Sequence, residues 1–325
     1  MSVTRQRNGL QVTGTPLFLD ATRKAPVSFV SHAHADHIGR HERTIATAAT
    51  LKCMEQRLGA LNGPLAVPYH QPFALGTLTL ELLPAGHVLG SAQLKVTRTD
   101  GRVLIYTGDI NCQRSLTAEP IVTAACDTLV IESTYGHPRY RFPPREEVLG
   151  ELTEWVRRVL AAGDVPVLLG YALGKSQEVM AHLAREGLST VVHASIWELA
   201  QIYESFGVKF PGARVFDGIL RGSEVLIWPA HKSRAPELLR LPRRPRTAAL
   251  TGWAMGHEGP RRVHADKAFP LSDHADYPSL LEYAAETGAT EIITHHGYAD
   301  ELAAGMRAAG LHARALGNAL QLPLF

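Results

Sequence analysis

The hydrophobic positions in the first third of the chain come in short runs that end on polar loops. Four segments show this pattern: VSFVSHA, LTLELLPAGH, RVLIYTGD and CDTLVIEST. Each has the length and the β-branched content of a strand, followed by His, Gly, Asp or Glu. Polar side chains at the ends of apolar strands are typical of layered α/β proteins, whose loops carry the chemistry. The pattern therefore predicts an α/β region with its functional groups at strand ends.

The pattern changes near residue 140, after the proline- and arginine-rich segment HPRYRFPPREEV. Apolar residues then recur at helical spacing from Val148 to Leu160, and Gly163 is a helix stop. Strand-like and helix-like segments alternate beyond this helix, which predicts a parallel α/β unit. After the basic segment LRLPRRPRTA, His and Asp again lie at element junctions. We predict one α/β domain, residues 1–144 and 256–325, interrupted by a smaller α/β insertion, residues 145–255.

Length and composition fit this two-part plan. A chain of 325 residues exceeds the usual size of one hydrophobic core, and its 45% hydrophobic and 20% charged residues are ordinary for a globular protein. The formal charge of +2 means that nucleic acid would have to bind to local basic patches. Three scattered cysteines argue against a disulfide framework or a cysteine-based zinc site. No apolar run reaches transmembrane length, so we expect a cytoplasmic protein without a membrane partner.

The densest candidate chemistry is SHAHADHIG, which contains His32, His34, Asp36 and His37. A helix would point neighbouring residues to different faces, so these four side chains converge only from a tight loop after the VSFV strand. Neutral imidazoles and a carboxylate suit borderline divalent ions such as Zn²⁺, Mn²⁺ or Fe²⁺. Four ligands from one loop would crowd a single ion. The spacing therefore predicts two adjacent divalent ions.

This motif resembles the signature of the metallo-β-lactamase fold, an αββα sandwich. The resemblance implies one ligand set: His32, His34 and His87 on the first ion, Asp36 and His37 on the second, Asp109 bridging both, and His296 as the last ligand. Asp20, in LFLDATR, is similar to an early aspartate of the family that supports the ligand loop. Two divalent ions roughly 3.5–4 Å apart acidify a water and stabilise an in-line displacement. This chemistry alone leaves esters, thioesters, lactams and phosphodiesters open as substrates.

Two further segments resemble the β-CASP branch of metallo-β-lactamase nucleases. They are CDTLVIESTYG, with Glu132 after a strand, and FPLSDHADYPSLLEYA, with His274 just before a helix. In that branch the acidic residue orients a histidine that protonates the leaving oxygen, which makes an alkoxide easier to expel. The resemblance implies catalytic roles for His274 and Glu132, together with Asp36 and Asp109.

Two segments are candidates for phosphate contacts. Lys175 and Ser176 lie at a strand-to-helix junction, where backbone N–H groups and a lysine can receive a phosphate. A simple helix cap explains them equally well. Arg243 and Arg244 lie in a dense basic region that would line a path for a polyanion, or form a solvated loop.

Taken as a whole, the chain resembles the bacterial DNA-ligase-associated exonucleases. The resemblance rests on SHAHADHIG, YTGDINCQRSLTAEP, CDTLVIESTYGHPRYRFPP, YALGKSQEVMAHL, FGVKFPG, LSDHADYPSLLEYAAETGA and THHGY. It implies a dinuclear-metal phosphodiesterase that acts on DNA, an exonuclease in end processing, with DNA ligase or helicase repair proteins as partners. Three alternatives stay open: a ribonuclease of the 3′-end-processing type, a catalytically silent metal-binding repair scaffold, and a small-molecule thioesterase. The short insertion favours DNA over RNA.

Overall fold

A computed structural model describes residues 1–255 and 265–317 of the chain. These residues form two compact units. The first contains Met1–Arg141 and the described residues from His274 onward, and the second contains the described part of Phe142–Asp273. The insertion predicted at 145–255 lies inside the second unit. The described residues 265–273, which the prediction assigned to the first domain, also lie in the second unit.

The first unit begins with a six-stranded sheet whose strands lie in chain order. They are β1 (Val3–Gln6), β2 (Gly9–Val12), β3 (Leu17–Leu19), β4 (Val27–Phe29), β5 (Arg43–Ala46) and β6 (Pro64–Ala66). Strands β1 to β3 pair antiparallel, and β3 to β6 pair parallel. Helix α1 (Ala48–Leu58) follows β5 and is capped by the Thr47 side chain, which accepts a hydrogen bond from the backbone N–H of Thr50. The strand predicted from VSFV is β4.

The first unit also contains a seven-stranded mixed sheet. Its strands in chain order are β7 (Phe73–Leu75), β8 (Leu78–Pro84), β9 (Ala92–Arg98), β10 (Val103–Tyr106), β11 (Thr128–Glu132), β18 (Glu291–His295) and β19 (Ala313–Ala315). Strand β11 pairs parallel with β10 on one side and with β18 on the other, although β18 lies far along the chain. Because parallel strands end at the same edge, the residues that follow β10, β11 and β18 are brought together.

Both faces of β10 and β11 are buried, which explains their continuous apolar runs. Tyr106 and Val130 join one apolar cluster that also holds Leu19 and Phe29 of the first sheet. The alternate residues, such as Ile131, join a second cluster with helices α6 (Tyr277–Glu286) and α7 (Ala299–Ala308). Burial of each such large apolar side chain contributes roughly 1.5–3 kcal/mol. The strands that carry the candidate site are thus held rigidly on two sides.

The second unit is built on a six-stranded parallel sheet with strand order β14-β13-β15-β12-β16-β17. The strands are β12 (Val165–Gly170), β13 (Thr190–Val192), β14 (Ala213–Val215), β15 (Val225–Pro229), β16 (Pro245–Leu250) and β17 (Lys267–Phe269). The helices are α2 (Arg145–Ala161), α3 (Lys175–Arg185), α4 (Ala194–Ser205) and α5 (Pro236–Leu239), with 3₁₀ turns at Ala230–Lys232 and Gly252–Ala254. The predicted amphipathic helix and the predicted parallel α/β alternation are confirmed. Within the described ranges 1–255 and 265–317, no helix has the length and apolar character needed to span a membrane.

Candidate metal centre and catalytic site

Four of the predicted ligands converge on one point of the first unit. The Nε2 atoms of His32 and His87 each lie 3.0 Å from Nδ1 of His34. The Oδ2 atom of Asp109 lies 3.5 Å from His32 Nε2 and 3.9 Å from His87 Nε2. One ligand atom from each of these four residues lies within 4.8 Å of every other. The ligand loop after β4 therefore meets the loop after β8 and the end of β10 at a single cluster.

The protonation pattern of this cluster fits a divalent cation. Burial, and the neighbouring His37 and His87, hold the pKa of His32 well below its ordinary value, so its ring is neutral. The Ser31 hydroxyl donates to Asp20 and lies 3.0 Å from Nδ1 of His32, which directs the proton of the imidazole to Nδ1. The Nε2 lone pair is then presented to the cluster. Burial opposes the ionisation of Asp109, but His37 and His274 outweigh it and hold the pKa of Asp109 well below its ordinary value.

A second group of predicted ligands meets at the same carboxylate oxygen of Asp109. The Nε2 atom of His37 lies 3.3 Å from Oδ2 of Asp109 and 3.7 Å from Oδ2 of Asp36. The ring of His296 stacks on His37, with 5.6 Å between centroids and 18° between planes. Asp109 contacts both groups, so its carboxylate has the position that a bridging ligand requires. Imidazole nitrogens and carboxylate oxygens are ligands that Zn²⁺ and Mn²⁺ accept.

Asp20 orients the His37 ring of this second group through hydrogen bonds. Its Oδ2 atom lies 2.8 Å from Nδ1 of His37 and accepts hydrogen bonds from the hydroxyls of Tyr106, at 2.8 Å, and Ser31, at 2.6 Å. Its Oδ1 atom accepts the backbone N–H of Ser31 at 2.6 Å. A carboxylate on the outer nitrogen of a metal-binding histidine fixes the tautomer and the ring orientation. Sequence reasoning did not assign roles to Ser31 and Tyr106, although both lie within the quoted motifs SHAHADHIG and YTGD.

The turn that carries His296 is built against the end of β11. The Ser133 hydroxyl donates to the backbone carbonyls of both His295 and His296. Gly297 has φ +47°, and a Cβ at this position would lie 2.4 Å from the Ser133 carbonyl oxygen. Only glycine fits such a close approach in the left-handed region. His296 itself has φ +64°, so the turn is held by its neighbours rather than by its own preference.

Glu132 and His274 form a pair beside the cluster. Nδ1 of His274 lies 3.1 Å from Oε1 and 3.2 Å from Oε2 of Glu132, and 3.9 Å from Oδ2 of Asp109. The Glu132 side chain is fully buried, and its oxygens accept the backbone N–H groups of Ile110, at 2.8 Å, and Thr134, at 3.2 Å. Two backbone donors and one imidazole therefore fix the carboxylate. His274 lies three residues before the start of helix α6, close to the predicted position, and Asp276 caps that helix.

The four predicted phosphate-contacting residues lie in the second unit, and their roles stay predictions. The Lys175 ammonium is buried and lies 3.2 Å from Oδ2 of Asp273. The Ser176 hydroxyl donates to the backbone carbonyl of Tyr171. Arg243 is half-buried and donates to the carbonyl of Gly222, and Arg244 is exposed.

The chain is similar to several proteins of known name, although no family model matches it. A probable DNA ligase of Opitutus terrae is 38% identical over 318 residues, which are 98% of this chain and 31% of that protein. The DNA cross-link repair protein SNM1 of Arabidopsis thaliana is 24% identical over 84% of this chain and 62% of its own length. RNase aCSPSF2 of Saccharolobus solfataricus is 28% identical over 50% of this chain and 39% of its own length. The chain thus spans less than two thirds of each of these relatives.

One solved structure has a fold similar to that of this chain. A protein of unknown function from Enterococcus faecalis superposes with a TM-score of 0.62 at 15% identity, over 90% of this chain and 79% of that one. The histidine–aspartate cluster, carried at strand ends of a mixed α/β architecture, is one that could hold a divalent metal ion. These similarities confirm the resemblance to the β-CASP group of the metallo-β-lactamase nucleases that the sequence predicted.

Proposed function

We propose that this protein is a divalent-metal-dependent nuclease that hydrolyses phosphodiester bonds of DNA, acting as an exonuclease in end processing. The observation that carries the proposal is the Glu132–His274 pair, 3.1 Å apart, beside the histidine–aspartate cluster around Asp109. The similarity to a probable DNA ligase extends over 98% of this chain and supports DNA as the substrate. It also supports a DNA ligase as a partner, whereas a helicase partner is proposed from the family resemblance alone.

The proposed ligand sets follow from the two groups of side chains around Asp109. His32, His34, His87 and Asp109 would hold one ion, and Asp36, His37, Asp109 and His296 would hold the other. Zn²⁺ and Mn²⁺ suit this donor set best, and Fe²⁺ is also compatible. When bound, such a pair of ions supplies an acidified water and positive charge for the phosphate. Asp20 would keep His37 in the tautomer that binds metal through Nε2.

His274 is the proposed general acid. Glu132 holds Nδ1 of the imidazole, so the proton for the leaving oxygen would come from Nε2. The buried carboxylate also fixes the plane of the ring, because Glu132 is itself held by two backbone N–H groups. General acid catalysis by a positioned histidine contributes about 10²–10⁴-fold to a rate. Without the proton from His274, the leaving oxygen would have to depart as an unprotonated alkoxide.

The finer architecture is proposed by family likeness. We expect the two sheets of the first unit to form the αββα sandwich of the metallo-β-lactamase fold, and the second unit to be the β-CASP-type insertion. The proposed phosphate contacts in that unit are Arg243 and Arg244. Lys175 and Ser176 already have protein partners, Asp273 and the Tyr171 carbonyl, so a contact with phosphate would require these interactions to change.

A ribonuclease is the second candidate, because RNase aCSPSF2 is similar over half of the chain. Matched DNA and RNA oligomers of one sequence, labelled separately at each end and incubated with Mn²⁺ or Zn²⁺, separate the two candidates. We expect DNA to be shortened from one end and RNA to be cleaved more slowly. A clear preference for RNA would establish the second candidate instead.

The variant His274→Ala tests the acid role in the same assay. We expect its kcat to fall about 10²–10⁴-fold while its metal content is unchanged. His312→Ala is the matched control, because His312 is an exposed histidine of the same unit whose ring has no role in the site. Absence of cleavage by the wild-type protein with every divalent metal tested would refute the nuclease proposal.

A further inference from the structure

A group of aromatic side chains extends from the proposed acid to the surface of the first unit. The ring centroids of Tyr135 and His274 are 5.9 Å apart, and those of Tyr140 and Tyr135 are 5.0 Å apart. Tyr298 follows at 5.6 Å from Tyr140, and the ring of His137 lies 5.4 Å from Tyr298. The proposed function gives this group no role. Its outer end is reached by the exposed side chain of Arg139.

The backbone fixes this group to the catalytic residues. The N–H of Tyr298 donates to the carbonyl of Ser133 at 2.8 Å, one residue after Glu132. The N–H of Tyr140 donates to the carbonyl of His137 at 3.0 Å. The carbonyl of Tyr140 accepts a hydrogen bond from the N–H of Tyr277 at 3.1 Å. The tyrosines therefore keep a set distance from His274. A ligand that contacts Arg139 and Tyr298 would therefore be held at a fixed distance from His274, the proposed proton donor.

Arg139 is held in an unusual way for an exposed arginine. Its Nη2 atom donates to the hydroxyls of both Tyr140 and Tyr298. Its guanidinium carbon lies 4.7 Å and 5.3 Å from the centroids of the same two rings. Nη1 and Nε make no hydrogen bond to any residue that the structure describes. Two tyrosines thus hold a planar cation in a fixed orientation and leave part of its donor edge facing solvent.

This arrangement suits a nucleobase better than a phosphate. Asp300 and Glu301 lie in the first turn of helix α7, which begins directly after Tyr298, and their charges disfavour an anion there. Aromatic rings and arginine planes are the surfaces on which unpaired bases stack, whatever the sequence. We propose that Arg139 and Tyr298 form a stacking subsite for one unpaired base of single-stranded DNA, on the side of the leaving nucleotide. This inference rests on the proposed function and specifies how that site would hold its substrate.

The test uses single-stranded DNA in which one base is removed at each position in turn, so that the sugar and phosphate remain. Cleavage gives kcat/KM with metal bound, and fluorescence anisotropy gives Kd with the metal chelated. The proteins are the wild type, Arg139→Ala and Tyr298→Ala, with Tyr298→Phe to keep the ring and remove the hydroxyl. Arg102→Ala is the matched control, because Arg102 is an exposed arginine of the same unit that pairs with Asp100.

In the wild type we expect base removal at one position near the cleaved bond to weaken binding about tenfold, the size of effect that one stacked base produces. Arg139→Ala and Tyr298→Ala should bind intact DNA about tenfold more weakly and should show no further loss at that position. Tyr298→Phe should stay closer to the wild type. An equal response of Arg139→Ala and the wild type to base removal would overturn the subsite and leave Arg139 as a structural tether.

The binding arm keeps this proposal separate from the proposed function. If the wild type binds DNA with the position-dependent loss but does not cleave it, the nuclease assignment fails and the subsite stands. If the wild type cleaves DNA without any dependence on a base at one position, the subsite fails and the nuclease assignment stands.

Discussion

Replacing Asp20 by Asn tests whether the proposed metal centre depends on the carboxylate that orients His37. The two Asp20 oxygens face four donors: the backbone N–H and hydroxyl of Ser31, Nδ1 of His37 and the hydroxyl of Tyr106. Asparagine keeps the shape but replaces one acceptor oxygen with an NH₂ group. If that group takes the Oδ2 position, His37 must accept at Nδ1, so its proton moves to Nε2, the metal-facing atom. If it takes the Oδ1 position, it faces the backbone N–H of Ser31.

Either orientation of the amide is costly. A buried donor that is left without an acceptor costs about 1–3 kcal/mol of folding free energy. A lost carboxylate partner on a metal-binding histidine costs about 10–100-fold in metal affinity. We therefore expect Asp20→Asn to raise the Kd for Zn²⁺ or Mn²⁺ by about 10–100-fold. Excess metal should restore activity, because the ligands themselves remain.

Calorimetric titration of metal into chelator-treated protein measures this change directly. Asp127→Asn is the matched control: Asp127 accepts the backbone N–H of Val103 at 2.7 Å and is not one of the residues that converge on the metal cluster. It should lose some stability and no metal affinity. A folded Asp20→Asn protein with the metal affinity of the wild type would refute the argued role of Asp20.

The pH dependence of the chelator-treated protein follows from the same contacts. Burial opposes the charged form of His37, but Asp109 and Asp20 outweigh it and hold its pKa well above the ordinary 6.5. Because the pKa is raised in the folded state, the stabilisation is fully present below pH 6.5 and is lost as pH rises through the folded-state pKa. Denaturant unfolding at a series of pH values should show this loss. Metal affinity should change in the opposite direction, since the ion displaces the proton of His37.

Three further predictions concern other parts of the site. Glu132→Gln should lower kcat on DNA about 10²–10⁴-fold and change KM by less than about threefold. The reason is that Gln has one acceptor oxygen fewer for the three donors that contact Glu132, namely Ile110 N–H, Thr134 N–H and His274. Steady-state kinetics measure both constants, and an unchanged kcat would count against the role of the Glu132–His274 pair. Gly297→Ala should lower the free energy of unfolding in urea by about 1–3 kcal/mol more than Gly76→Ala does. Both glycines have positive φ, but of the two only Gly297 lacks space for a Cβ. Equal losses of stability in the two variants would contradict this prediction. Zn²⁺ or Mn²⁺ at 100 times its Kd should stabilise the chelator-treated protein by about 2.7 kcal/mol for each site that is filled, visible as a rise in Tm. An unchanged Tm would argue against a metal site.

Local patterns were sufficient to predict the elements that carry the candidate site. The apolar run that ends on Glu132 is strand β11, and the helical spacing from Val148 to Leu160 lies in helix α2. The positions of the predicted ligands at strand ends also agree with the structure, because parallel strands end at one edge of the sheet. These features depend on periodicity and on order along the chain, both of which are written in the sequence.

The supporting contacts could not be predicted, because they join residues that are distant in sequence. The hydrogen bond from Tyr106 to Asp20 exists only because the two sheets of the first unit share an apolar cluster. The sequence predicts either a phosphate contact or a helix cap for Lys175, and its pairing with Asp273 joins residues that are about 100 positions apart. The spacing of residues along the sequence does not predict contacts between such distant positions. Local reasoning therefore identifies candidate ligands more readily than the residues that hold them.

The pairing of β11 with β18 has a consequence for the protein during its synthesis. The ribosome adds about 5–20 residues per second, so on the order of 10 s separate the emergence of Glu132, at the end of β11, from that of His295, at the end of β18. During this interval the nascent chain already carries His32, His34 and His87, yet one edge of β11 has no partner strand. An exposed edge of this kind is a template for aggregation. A chaperone that covers this edge would act while the chain carries the first group of proposed metal ligands and still lacks the strand that completes the sheet.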